Sequence, residues 1–218
     1  SDPIPGGNEC HSALTREGSL LMTMRTNTLS RAFAWSTTAG RTWSTPTTSP
    51  FPYSYIGGQC ESTMLTLPGA DRPLLLSTPF SLFDKNKSTN PKALAPPRAN
   101  GSLFISYSSG HHWTFYRSIV GPTTGFGYSA LSLVNETHFG LVFEAGGGCP
   151  ATTADPYAMR CPATQGAQGA ALTFLAMPIP PPKAPVKSDD EATAEPEECQ
   201  PASGNTADWP IFHISDPP

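Results

Sequence analysis

Residues 36–43 read Ser36-Thr37-Thr38-Ala39-Gly40-Arg41-Thr42-Trp43, and residues 106–113 repeat the pattern as Ser106-Tyr107-Ser108-Ser109-Gly110-His111-His112-Trp113. Both are Ser-x-Ser/Thr-x-Gly-x-x-Trp. In a hairpin turn the hydroxyl at the third position bonds back to the turn backbone, the glycine supplies a positive φ, and the tryptophan packs beneath. Two such boxes mark a structural repeat. Trp43 and Trp113 lie 70 residues apart, too far for one four-stranded unit. The spacing predicts a unit with a box, a unit without one, and a second unit with a box. The middle unit would run from Gln59 to Ser77, with strands near Ser62–Leu67 and Pro73–Ser77.

Repeats of four short strands, roughly 40–50 residues each, point to an all-β fold of the β-propeller type. Composition agrees. With 25 Pro and 19 Gly among 218 residues, the chain is punctuated too often for long helices, and Ser, Thr and aromatic residues between the breaks favour short strands. Upstream of the first box, Glu9 to Leu14, the turn Arg16-Glu17-Gly18 and Ser19 to Arg25 read as a hairpin whose second strand is apolar and ends on an arginine. A strand near Ser30–Trp35 enters the first box, and Ser102–Ser106 enters the second. Beyond it come Gly127-Tyr128-Ser129-Ala130-Leu131 and Gly140-Leu141-Val142-Phe143-Glu144, two runs that place a tyrosine and a carboxylate at strand positions. Ala170–Met177 reads as a last strand, which sets the propeller part at residues 1–177. Residues 178–218 are a Pro-rich, acidic tail, expected to be largely extended, with a short apolar anchor at Trp209-Pro210-Ile211-Phe212.

The net charge of -4 is unevenly distributed: residues 1–177 carry 11 Lys+Arg against 9 Asp+Glu, and residues 178–218 carry 2 against 8. A nearly neutral body offers no electrostatic footprint for nucleic acid, so no nucleic-acid partner is expected. No apolar run is long enough to span a bilayer. Three sequons, at Asn86, Asn100 and Asn135, predict glycosylation and passage through the secretory pathway, to the extracellular space, the cell surface or the lysosomal lumen. Cys149 and Cys161 bracket a polar, Gly-rich insertion and form the expected disulfide. Cys10, Cys60 and Cys199 stand apart, and five cysteines leave at least one unpaired or paired with another chain. His11, His111 and His112 sit by turns without converging ligands, so neither a metal nor a cofactor is expected.

Taken in order, these motifs resemble the sialidase family, the lysosomal type most closely. The boxes look like sialidase Asp-boxes, Asn8-Glu9-Cys10 followed by Leu20 to Arg25 looks like the family's Glu…Arg hairpin, and Gly127 to Glu144 looks like its tyrosine and Leu-Tyr-Glu elements. The chain departs from the pattern in having Thr38 and Ser108 at the box aspartates and Phe143 for the usual tyrosine. The family's first arginine and catalytic aspartate have no counterpart here.

The resemblance implies a retaining glycoside hydrolase that removes terminal sialic acids from glycoconjugates. A sialic acid bears a carboxylate on its anomeric carbon, so a carboxylate nucleophile would approach against like charge whereas a phenol does not. Tyr128 maps to that nucleophile and Glu9 to the base that takes its proton. Arg25 and Arg98 map to guanidinium forks for the substrate carboxylate. Glu144 maps to the residue that orients the arginine lacking here. The family's propeller has six blades, and the 177 residues before the tail make about three to four at that repeat length. The resemblance therefore implies a complementary N-terminal half as partner. The other reading of these residues is a non-catalytic, sialidase-like propeller acting as a structural or glycan-binding component of a secreted or surface assembly.

Overall fold

Alternating apolar residues bounded by Gly, Pro and Ser turns produce eleven strands and no helix among the residues that the computed structural model describes, namely 4, 7–26, 30–48, 60–80, 98, 100–121, 124–146 and 171–182, with the backbone of 211–213. The strands are β1 Cys10–Leu14, β2 Leu20–Met24, β3 Ala32–Ser36, β4 Thr63–Thr66, β5 Leu74–Pro79, β6 Gly101–Ser106, β7 Thr114–Ser118, β8 Gly125–Leu133, β9 His138–Gly146, β10 Ala171–Pro178 and β11 Ile211–His213. They form three antiparallel meanders in chain order: β1-β2-β3, β4-β5-β6-β7 and β8-β9-β10-β11. β1 packs beside β4, and β4 beside β8, so the first strand of each sheet lies innermost. This is the arrangement of propeller blades.

The middle sheet is apolar on both faces because its strands are flanked on both sides. Leu74 and Leu76 of β5 and Phe104 of β6 pack with Leu21 and Phe33 of the first sheet. Their neighbours Leu75, Leu103 and Ile105 pack with Phe126, Leu131, Phe139 and Leu141 of the third. Successive side chains alternate between faces, so a continuous Leu74-Leu75-Leu76 run is what a doubly covered strand requires.

The two boxes belong to consecutive blades, which corrects the expected middle unit. β4 and β5 are the inner strands of the same sheet as β6 and β7, with Leu76 opposite Phe104 in register. The long Trp43–Trp113 spacing comes from the connections that precede β4 and that join Pro79 to Gly101, a length that periodicity alone cannot separate from an extra repeat. The tail contributes β11, at the anchor expected near residue 211, as the outer strand of the third sheet.

The boxes are nearly superposable in their bonding. Ser36 Oγ accepts from Gly40 N at 2.9 Å, as Ser106 Oγ does from Gly110 N at 2.9 Å. At the third position Thr38 Oγ1 accepts from Thr42 N at 2.9 Å and Ser108 Oγ from His112 N at 2.8 Å. Trp43 and Trp113 each donate Nε1–H to the box glycine carbonyl, at 3.1 and 3.0 Å. In each box the hydroxyl at the third position closes the turn. The second box also locks the blades together: Trp35 Nε1 donates to Ser109 O at 2.9 Å, Glu17 accepts from the Ser109 hydroxyl, and the Trp35 and His111 rings stack at 4.8 Å.

Gly110 has φ +87°, and a Cβ there would lie 2.2 Å from Cδ2 of Leu21, a fully buried core residue. Gly40 has φ +81° but meets nothing nearer than 3.6 Å. Gly110→Ala is therefore expected to destabilise by about 2–4 kcal/mol, combining left-handed strain and overpacking, and Gly40→Ala by about 1–2 kcal/mol. Urea denaturation checks the difference; equal losses would place the second box outside the inter-blade core.

Candidate active site

Antiparallel meanders bring the starts of β1, β3, β4, β6 and β8 and the ends of β2, β5 and β9 to one face of the molecule. Glu9 immediately precedes β1 and Arg25 immediately follows β2. The register that pairs Cys10 with Met24 makes them the next cross-strand pair, with Arg25 N donating to Glu9 O at 2.8 Å. Directly opposed residues project side chains to the same face. Arg25 Nη1 accordingly donates to Glu9 Oε2 at 2.7 Å, in a partly exposed ion pair.

Tyr128 reaches the same carboxylate from the third sheet. The β8–β9 register shifts between Phe126, opposite Ala145, and Ser129, opposite Phe143, so Gly127 and Tyr128 together face Glu144. Such a bulge re-aims a side chain. The Tyr128 hydroxyl donates to Glu9 Oε1 at 2.5 Å, and the residue is 39% exposed, leaving the phenol open to a ligand. Glu144 Oε2 accepts from Tyr128 N at 3.2 Å. A Cβ on Gly127 would lie 2.4 Å from that oxygen, so a larger residue there would displace the Glu144 carboxylate from the Tyr128 amide. Arg98, whose carbonyl accepts from Phe126 N at 2.8 Å, places its guanidinium carbon 5.4 Å from the Tyr128 ring centroid.

The chain therefore brings Glu9, Arg25, Arg98, Tyr128 and Glu144 together from five positions spread along its length. Burial would raise the Glu9 pKa, but hydrogen bonds from Arg25 and Tyr128 and the charges of Arg25 and Arg98 together hold it below the ordinary carboxylate value. The Tyr128 pKa is raised, first by its hydrogen bond to Glu9, then by burial and by the Glu9 charge, against the opposing pull of Arg98 and Arg25. At neutral pH the proton thus rests on the phenol and the carboxylate is free to accept it.

Asn100 directly precedes β6 on this face, partly buried with φ 54°. Asn135 lies in the exposed β8–β9 turn at the other end of the sheet, where its Oδ1 accepts from Thr137 N and His138 N, both at 2.8 Å. Asn86, Cys149, Cys161 and Cys199 lie outside the described residues. Cys10 is exposed and Cys60 buried, both as free thiols. Among the described residues no group of three or more His, Cys, Asp or Glu could hold a metal ion.

Two charged residues of this face went unrecognised in the sequence. Glu61, just before β4, accepts from Ser129 N at 3.2 Å. Arg31, just before β3, is 1% exposed and bridges the first two sheets, donating from Nε to Thr23 Oγ1 at 2.8 Å and from Nη1 to Cys60 O at 2.5 Å. Their signal was position: Arg31 directly precedes a strand that begins on this face, as Glu9 does, and Glu61 stands two residues ahead of one. Assigning β4 to a separate unit hid that equivalence for Glu61.

No protein-family model matches the chain, and no curated protein matches it significantly. Solved structures do. A point mutant of the NanB sialidase from Streptococcus pneumoniae superposes with a TM-score of 0.52 at 23% identity, over 66% of this chain and 21% of that one. The α-L-arabinanase of Penicillium chrysogenum, complexed with arabinobiose, gives 0.51 at 16% identity, over 80% and 47%. The α-L-arabinofuranosidase Arb93A of Fusarium graminearum, in complex with an iminosugar inhibitor, gives 0.51 at 14%, over 80% and 46%. At such identities the likeness shows the fold, a β-propeller like that of these proteins, of which this chain spans between about a fifth and about half the length.

Replacing Glu9 by Gln removes the largest influence that raises the Tyr128 pKa and leaves both arginines to favour the phenolate. The Tyr128 titration, isolated as the ultraviolet difference from Tyr128→Phe, is expected to shift to lower pH in Glu9→Gln. An unchanged or higher midpoint would show that the two groups are not coupled.

Proposed function

We propose that the protein is an exo-acting sialidase, a retaining glycoside hydrolase in which Tyr128 attacks the anomeric carbon of a terminal sialic acid. The observation that carries the reading is the 2.5 Å bond from the Tyr128 hydroxyl to Glu9, whose other oxygen is held by Arg25. The phenol oxygen forms the new bond to carbon while its proton passes to Glu9 Oε1. The glycosidic C–O bond breaks, and its oxygen takes a proton from an acid outside these residues. Water then attacks the anomeric carbon of the tyrosyl adduct, gives its proton to the same acid, and the phenol recovers its own from Glu9.

Arg25 and Arg98 fit a substrate carboxylate beside the phenol. An anionic sugar taking the Arg25 fork draws it from Glu9 and thereby strengthens the base when substrate is bound. An uncharged arabinose unit, such as the arabinobiose bound to the Penicillium arabinanase, would leave both guanidiniums without a role. The absent box aspartates do not favour a purely structural or glycan-binding propeller, because Thr38 and Ser108 close those turns. A complementary segment supplying the further blades, an arginine beside Glu144 and the acid completes this reading, and a site on the face opposite Asn135 stays clear of a glycan there.

The test is turnover of a fluorogenic sialoside by the intact protein. Tyr128→Phe is expected to abolish it, and Glu9→Gln to lower kcat by about 10²–10⁴-fold, the usual contribution of a positioned base. The 218-residue chain alone is expected to give none. An inactive parent, a fully active Tyr128→Phe, or full activity from the isolated chain would overturn the proposal.

A further inference from the structure

β8 is the innermost strand of the third sheet, and among the described residues its amides facing away from β9 have no neighbouring strand of their own sheet to bond. Two of them are taken by side chains at the start of β4 and just ahead of it, at matching alternate positions. Ser129 N donates to Glu61 Oε2 at 3.2 Å, and Leu131 N donates to Thr63 Oγ1 at 3.4 Å. Ser129 is held a second time, by its hydroxyl, which accepts from Ser77 Oγ at 3.0 Å. On the other side of the bulge, Tyr128 N donates to Glu144 Oε2. The consecutive amides of Tyr128 and Ser129 are thus gripped by two carboxylates, one on β9 and one just ahead of β4.

We propose that Glu61 is a positioning residue: together with Glu144 it clamps the bulge amides of Tyr128 and Ser129, and so fixes the direction in which the phenol meets Glu9. Hydrogen bonds to a charged acceptor are the stronger kind, which suits a carboxylate to holding an edge amide in place of a ladder partner. Burial raises the Glu61 pKa, opposed by the Ser129 amide and the Arg31 charge and reinforced by Glu9 and Glu144. A half-buried carboxylate kept among two others makes sense where its oxygen is needed at one point. The catalytic consequence rests on the nucleophile reading of Tyr128, whereas the clamp itself does not.

The experiment uses the intact protein with Glu61→Gln, which keeps an acceptor oxygen, Glu61→Met, which removes it at similar length, and Thr63→Val, which loosens the next rung without touching the bulge. Two readouts are taken: amide exchange at Ser129, and kcat and KM on a fluorogenic sialoside. Glu61→Met is expected to speed Ser129 exchange by about tenfold or more and to lower kcat by about 10–100-fold, as loss of an orienting partner does, with KM changed by less than about threefold. Glu61→Gln restores both, and Thr63→Val leaves kcat near the parent. Unchanged Ser129 exchange in Glu61→Met, a Gln variant as impaired as the Met variant, a loss confined to KM, or an equal kcat loss in Thr63→Val would each overturn the proposal. If Glu61→Met does not fold, Ser77→Ala loosens the same residue through its hydroxyl, and an unchanged kcat there overturns it. An inactive parent would defeat the sialidase reading alone and leave the exchange at Ser129 to decide the clamp.

Discussion

One carboxylate joins the first and third sheets across the site: Glu9 receives Arg25 on one oxygen and the Tyr128 phenol on the other. Each partner depends on this arrangement in a different way. Arg25 gains a charge-assisted bond that sets its side chain beside the phenol, and Tyr128 gains an acceptor that keeps its proton on a defined path. Because β1 and β8 belong to different blades, the bond forms only if the intervening sheet holds its width and angle. The chemistry of the face is therefore conditional on packing elsewhere.

That packing is supplied by the middle sheet, whose Leu74-Leu75-Leu76 run is committed to both neighbours at once. Its second box reaches back to the first sheet through Ser109 and Gly110, at the end opposite the site. Ser77 of the same sheet and Glu61, just ahead of β4, hold Ser129 of β8. Apolar contact sets the distance between blades, and these polar bonds hold Ser129, next to the residue that carries the phenol. The bulge at Gly127 then places Tyr128 where a regular strand would not.

Local pattern carried the hairpins, both boxes, the strands around them and the residues of the Glu9–Arg25–Tyr128 cluster, because each is written within a few neighbouring residues or matches a motif in order. Blade membership was not legible. Ser62–Leu67 and Pro73–Ser77 read as strands in either arrangement, and only the β5–β6 pairing, across a long connection, assigns them to the second box's sheet. Glu61 and Arg31 were passed over for the same reason, since a charged residue ahead of a strand is unremarkable until the strand's place in the sheet is known. The clamp on the bulge amides depends on a register irregularity and on a neighbouring sheet, neither of which a linear pattern records.

Trapping of the covalent intermediate tests the central claim most directly. A sialoside with fluorine beside the anomeric carbon and a good leaving group slows both steps, the second more than the first when departure is easy. Peptide mass spectrometry of the intact protein after such treatment is predicted to find the sugar on the peptide containing Gly127-Tyr128-Ser129, attached through Tyr128. An adduct on Glu9 or Glu61, or turnover of the reagent with no adduct at Tyr128 in Glu9→Gln and parent alike, would contradict the account.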